Sequence, residues 1–388
     1  MSEAQEQYDL IFLGSGCASL SILCRMIDTG KFSEKKILLL DKSPKNKNDR
    51  TWCFWEKKEG YFESLVHCQW QQLFFETEKS IIDLDIKPYQ YKMIRGIDFY
   101  NYCFSKIHQA GNITLQYGNI EIKKSLKEQK VFLDGKHLDT SKAIVFNSIY
   151  DSNKNENSFY LLQHFKGWVI ETADEHFEKA TLMDFSISQK YGTAFIYLLP
   201  LSKKKALIEF TLFTENILDD ESYNEVLKEY IEQKKGIKFY TISESEFGII
   251  PMTNMHFDIY NNGLYNIGTA GGQTKGSTGY TFNFIQKQSD RIVSYLIKAG
   301  VPPIKEMKKN RFSFYDSTFL HILSGKKLEG KEVFSRLFEK NSAKNIFKFL
   351  DNETSILEDL KIINSLPKKE FLKAGMLELK KMFKNNKD

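Results

Sequence analysis

The stretch YDLIFLGSGCASLSILCRMIDTG, Tyr8 to Gly30, decides the fold. It opens with a short apolar run, Tyr8 to Leu13, turns through two glycines, and continues as a segment that stops at Gly30. That order predicts strand, tight turn and helix. KKILLLDK follows, a second apolar run ending at Asp41. Runs that are apolar without alternation mark strands buried on both faces of a parallel sheet. Strand, helix and strand together form the opening unit of a doubly wound α/β sheet. In the turn, Gly14 permits the tight bend and Gly16 lets a pyrophosphate approach the backbone at a helix N-terminus. Ser19 stands where a third glycine is usual and is small enough for close helix–strand packing. Asp41 is placed to bind a ribose hydroxyl. The other reading is an ordinary α/β turn.

A second glycine cluster, GTAGGQTKGSTGY, runs from Gly268 to Tyr280. It too follows an apolar strand and precedes a helix, here expected from near Tyr280. Gly268, Thr269, Ala270, Gly271 and Gly272 are its candidate cofactor contacts. Two such turns far apart in one chain suit FAD better than NAD, because the flavin end needs a loop of its own; a plain glycine-rich loop is the alternative. Residues 59–95 read as short antiparallel strands and Asp134-Gly135 as a hairpin turn. The polar run 151–158 reads as a boundary loop. Residues 159–247 alternate as an antiparallel sheet with one covered face, interrupted by a helix from Asp220 to Lys235. The expected organisation is an FAD-binding Rossmann region at 1–150 with a β insertion at about 59–95, then a β substrate domain at 151–247. The FAD region resumes at 248–300, and 301–388 is helical.

The 55 Lys and Arg are nearly offset by 50 Asp and Glu, so the charge calls for no nucleic-acid partner. The 31 Phe and 19 Tyr can line a long apolar cavity or reflect a compositional habit. The five cysteines, Cys17, Cys24, Cys53, Cys68 and Cys103, form no Cys-x-x-Cys pair. This fits a reducing compartment and argues against disulfides and zinc. None of the histidines has metal-ligand spacing, so no metal is expected. The N-terminus lacks a signal pattern, and no apolar run approaches the roughly 20 residues that span a bilayer. A cytoplasmic protein with peripheral membrane contact is expected. The last helix carries Leu372, Met376, Leu379 and Phe383 on one face among lysines, which suits core docking or a membrane surface.

Two further stretches carry chemistry. KALIEFTLFT puts Leu207, Glu209 and Thr211 on one strand face, and Ile208, Phe210 and Leu212 on the other. A carboxyl facing a dry cavity has its pKa raised and can act as a general acid near neutral pH. An exposed edge-strand glutamate is the other explanation. NDRTWCFWE, Asn48 to Glu56, sets a charged pair beside dense aromatic surface.

The motifs YDLIFLGSGCASLS, NDRTWCFWE, LIEFT, GIIPM and IGTAGGQTKGSTGYTF, in this order, resemble those of the flavoprotein lycopene cyclases of carotenoid-producing bacteria. The resemblance runs from about residue 8 to 285. It implies a glutathione-reductase-like FAD-binding Rossmann fold, an antiparallel substrate sheet, and an enzyme that closes the acyclic ends of lycopene into β-rings. It implies FAD in its reduced state, with NAD(P)H as reductant, and substrate drawn from a membrane. Glu209 matches the first acidic position of the family motif and so becomes the expected acid; the second is Phe210 here. Gln273, Gly276 and Ser19 also depart from the usual residues. Arg50 is expected near the cofactor, oriented by Asp49, with Trp52, Trp55, Phe210 and Thr211 against the hydrocarbon. A redox flavoenzyme of the same fold and a carotenoid-binding protein without catalysis are the alternative functions.

Overall fold

Tyr8 to Gly30 folds as its sequence predicts. In the computed structural model, which describes residues 6–124, 129–151, 158–304 and 311–385, β1 spans Leu10–Leu13 and α1 spans Cys17–Thr29. Gly30 ends the helix in the left-handed conformation, φ 65°, which glycine adopts without penalty. β2 (Ile37–Asp41) pairs parallel with β1, and β8 (Ile113–Tyr117) with β2. On the other side of β1 lie β12 (Ile144–Asn147) and β19 (Leu264–Asn266), both parallel, then the short antiparallel β18 (Tyr260–Asn261). The strand order β18-β19-β12-β1-β2-β8 reverses direction at β1, the switch point where open α/β sheets bind ligands. α2 (Gly96–Ala110) and α4 (Phe282–Ala299) pack against α1.

A small meander of β9 (Ile120–Lys124), β10 (Gln129–Leu133) and β11 (Lys136–Leu138) hangs from this sheet. Asp134 and Gly135 both have positive φ, 49° and 75°, as the expected hairpin turn requires. Of the expected boundary loop, residues 152–157 lie outside the described residues.

The second large unit is a sheet ordered β17-β13-β16-β15-β14-β5-β6. Its long strands are β13 (Tyr160–Glu171), β15 (Thr193–Ser202), β16 (Lys205–Thr214) and β17 (Thr241–Thr253), extended by β14 (Thr181–Asp184), β5 (Gln72–Glu76) and β6 (Ile81–Asp85). Pro251, which has no amide to donate, sits on the edge strand β17. A separate ribbon of β3 (Thr51–Glu56), β7 (Gln90–Arg95) and β4 (Cys68–Trp70) joins the two units.

The expectation of one covered face is corrected. α3 (Asp220–Glu229) and the wider turn Tyr230–Lys234 close the outer face, burying Trp168, Ile208, Phe210 and Leu212 under Tyr223, Leu227 and Ile231. Leu227 and Ile231 are fully buried, each contributing about 1.5–3 kcal/mol. The inner face is covered by β3, β7 and the C-terminal helices α5 (Arg311–Ser324), α6 (Gly330–Lys340), α7 (Ala343–Leu350) and α8 (Ile356–Ser365). α9 (Lys368–Asn385) packs on α5. Among the described residues no helix is long and apolar enough to cross a membrane.

Candidate active site

At the end of β1, Gly14 has φ 89°, and a Cβ there would stand 2.4 Å from Ser148 Oγ. Only glycine fits. Above Gly16 a Cβ would meet nothing within 4 Å. Gly16 caps α1 without a side chain, and the first turn carries no acidic residue. Free amides and a positive dipole end therefore face open space, as a pyrophosphate needs. Asp41 Oδ2 accepts from the Ser15 amide at 2.6 Å and the Ser15 hydroxyl at 2.5 Å, so it braces the turn. Burial raises its carboxyl, but the Ser15 bonds and Lys45 outweigh that and hold it below the usual range. Oδ1 accepts from the Ser43 amide at 3.2 Å, leaving acceptor capacity for a ribose hydroxyl.

The second glycine cluster docks on the first. Gly268 has φ 59°, and its Cβ would lie 2.9 Å from Ala18 Cβ. Gly271 is demanded by Asn266 O, 2.3 Å from where its Cβ would be, and Gly272, with φ 71°, packs against Phe257. Thr269 lines the central cavity, while Ala270 faces a separate pocket. Ser19 is fully buried. It serves helix packing, and the expectation that it touches a cofactor is corrected. These residues fit FAD: Gly14 and Gly16 would receive its pyrophosphate, Asp41 its ribose, and Thr269 lies in the cavity beyond them.

The central cavity lies where the two sheets meet and spans about 1150 Å³ with its open mouth included. Arg50, Trp52, Thr269, Tyr280 and Phe282 line the nucleotide side, and Tyr197, Leu207, Glu209, Phe165 and Ile250 the substrate side. Asp49 accepts from Tyr100 OH at 3.0 Å and from Arg50 Nη2 at 3.1 Å, so it orients the guanidinium as expected. Trp52 packs edge-on against Phe99 with centroids 5.0 Å apart. Gly248 makes room for the Phe165 ring, 2.2 Å from where a Cβ would stand.

Three of the expected hydrocarbon contacts fall elsewhere. Thr211 is fully buried beside Glu209 and lines no part of the cavity. Phe210 lies on the outer face, ring to ring with Tyr223, because alternation turns it away from Glu209. Trp55 is buried in the core. Its Nε1 donates to Asp351 Oδ2 at 2.8 Å and its ring stacks on Phe347 at 4.4 Å. Burial pushes the Asp351 carboxyl up to about 6 from 3.8. A raised carboxyl favours folding below its unfolded pKa, and that stability is lost as pH rises through the folded one. Asp351→Asn, which keeps an acceptor for Trp55, is therefore expected to gain on the order of 3 kcal/mol at pH 8 and little at pH 4. Thermal melts at the two pH values check this.

Glu209 lies on an internal strand, which removes the edge-strand explanation. Across the sheet it faces Gly167 of β13 on one side and Tyr197 of β15 on the other. Gly167 pairs in turn with Glu246 of β17. The two carboxylates therefore flank a residue with no side chain and come within hydrogen-bonding reach across it. A Cβ at Gly167 would stand 3.2 Å from Glu246 Cγ. Thr51 Oγ1 donates to Glu246 Oε2 at 2.7 Å, and Thr211 Oγ1 to Glu209 Oε1 at 2.8 Å. Glu246 Oε1 is buried with no donor among the described residues.

Cys53, Tyr91, Tyr197 and Tyr280 face Glu209, and burial raises the pKa of each and keeps it neutral. Thr51, Glu244 and Asp49 face Glu246. Among the described residues no cation pairs with either carboxylate. Burial first, and the Glu246 charge second, hold Glu209 well above the usual carboxylate range. Glu246 is raised too, mainly by burial. Two carboxyls held together away from water repel when both are ionised, which favours a pair that keeps one proton. Sequence reading missed Glu246. Its available signal was a glycine inside the strand FKGWVI, which marks close approach from neighbouring strands.

An open α/β sheet with a glycine cradle at its switch point, joined to a large antiparallel sheet, is the fold of the FAD flavoproteins. It is similar to a geranylgeranyl bacteriochlorophyll reductase-like protein of Thermoplasma acidophilum, with a TM-score of 0.58 and 14% identity over 95% of this chain and 99% of that one. A flavoprotein/dehydrogenase from Cytophaga hutchinsonii matches with a TM-score of 0.57 and 11% identity, over 92% and 98% of the two chains. Within this class the chain belongs to the lycopene cyclase protein family, whose model matches residues 9–375. It is 25% identical over 304 residues to a lycopene beta-cyclase of Pantoea ananas, covering 74% of each chain.

Proposed function

We propose that the protein is an FAD-dependent cyclase that converts the acyclic ends of a carotene such as lycopene into β-rings without net redox change. The observation that carries this reading is the buried pair Glu209–Glu246 beside an aromatic-lined cavity, where neither carboxyl is paired with a cation among the described residues. Glu209 holds the proton over the substrate and Glu246 is its ionised partner. Glu209 adds the proton to C2 of the terminal alkene. The cation at C1 is attacked by the C5=C6 double bond, the six-membered ring closes, and the now-ionised carboxylate pair takes the C6 proton, leaving the β-ring and restoring the acid.

Protonating an alkene requires an acid kept from water. The internal strands β13 and β16 supply that enclosure. The pair passes from one negative charge to two as the hydrocarbon becomes cationic, so the charge gained by one partner stabilises the other. Trp52, Tyr197, Tyr280 and Phe282 offer ring faces and edges around the same space, each face worth up to about 2 kcal/mol to a desolvated cation. Gly14, Gly16, Asp41, Arg50 and Thr269 would hold FAD, which in its reduced form supplies negative charge beside the cavity; NAD(P)H is the proposed reductant. Peripheral membrane contact fits the exposed Leu372, Met376 and Leu379 of α9; the Phe383 side chain lies outside the described residues.

Expression in a lycopene-accumulating bacterium tests the reading. Chromatography is expected to find one or two β-rings per molecule, and unchanged lycopene alone would refute it.

A further inference from the structure

A second cavity, about 1310 Å³ with its open mouth included, lies among α5 to α9. Its walls are largely hydrocarbon, with Phe314, Phe319, Phe334, Leu337, Ile362 and Leu366 among them. The chemistry at Glu209 makes no use of it. Asp316 borders it, but its carboxylate is already paired with Lys275 Nζ at 2.9 Å and accepts from Ser277 Oγ at 2.6 Å; the other charged residue in the wall is Lys368, at the start of α9.

Two observations specify the ligand. Thr278 is buried and stands in the wall of both this cavity and the acid cavity. Its Oγ1 is buried with no hydrogen-bond partner among the described residues. At the other end, Leu372, Met376 and Leu379 of α9 line the cavity yet remain 64%, 58% and 43% exposed. Apolar side chains left open at a cavity mouth mark an entrance for an apolar molecule.

We propose that this cavity holds the distal, unreacted length of a linear hydrocarbon polyene. The chain enters beneath α9 and passes Thr278, so that its reacting end lies at Glu209. The proposal rests on the cyclase reading of the acid cavity. A rigid chain with no hydrogen-bonding groups is held by apolar walls alone, which is what α5 to α9 provide.

The test titrates the full-length, FAD-loaded protein with diphenylhexatriene, an uncharged linear polyene that brightens on leaving water. Gly375→Trp places a ring inside the cavity, since a Cβ at Gly375 stands 3.5 Å from Phe314 Cζ. Met376→Glu puts a charge at the exposed mouth, where folding tolerates it. Both variants are expected to bind the probe at least tenfold more weakly with flavin content unchanged, and Glu209→Gln to bind it as wild type does. Wild-type affinity in both cavity variants would overturn the proposal. Failure of the cyclase reading would look different: the wild-type protein would form no rings, whatever the probe does.

Discussion

Glu209→Gln is expected to abolish ring formation, lowering the rate by at least about 10³-fold, the range for loss of a general acid. Glutamine preserves the shape of the side chain and can still accept from Thr211, but it has no proton to give. Because the carboxyl is raised in the folded protein, it costs stability as pH rises through its folded pKa. The variant should therefore melt higher than wild type at pH 8, with the gain shrinking at acid pH, and it should keep its flavin. Loss of rings in a protein that is more stable and still yellow separates chemistry from misfolding. An active, flavin-loaded Glu209→Gln would remove Glu209 from the mechanism.

Glu246→Gln has the second largest expected effect, and its signature is a shift along the pH axis. Wild-type Glu209 is raised by burial and by the charge on Glu246. The amide removes the second cause, so the Glu209 pKa falls. Activity needs the protonated form, and its alkaline limb moves to lower pH. At pH 8 the rate should drop tenfold or more, with partial recovery toward pH 6. A pH profile of ring formation reads this directly. A uniform loss at every pH would mean that Glu246 only supports the sheet through Thr51.

What could be read from the chain divides along the reach of each signal. The Tyr8–Gly30 unit and the Asp134-Gly135 turn are local, set by apolar runs and by glycines at positive φ, and they were legible. So was the direction of Glu209, because alternation along one strand fixes it. Its partner was not. Glu246 reaches Glu209 only because β17 and β16 both pair with β13 in a register that puts each opposite Gly167. That is a non-local fact, and Phe210 beside Glu209 drew attention to the wrong neighbour. The aromatics of NDRTWCFWE failed as a set for the same reason the strand succeeded. Trp52 and Phe54 face α2 and α4, while Trp55 turns to the opposite side and meets Phe347 and Asp351. Phe210 misled because α3 covers an outer face that periodicity left bare.

The proposed reaction delivers a proton to carbon with no net transfer of electrons. The most direct measurement is cyclisation of lycopene by the purified, reduced holoenzyme in D2O, with mass analysis of the product and the NAD(P)H balance followed together. One deuterium at C2 for every ring formed, with no NAD(P)H consumed in proportion to product, is the predicted result. Product without deuterium, or NAD(P)H oxidised mole for mole with product, would contradict it.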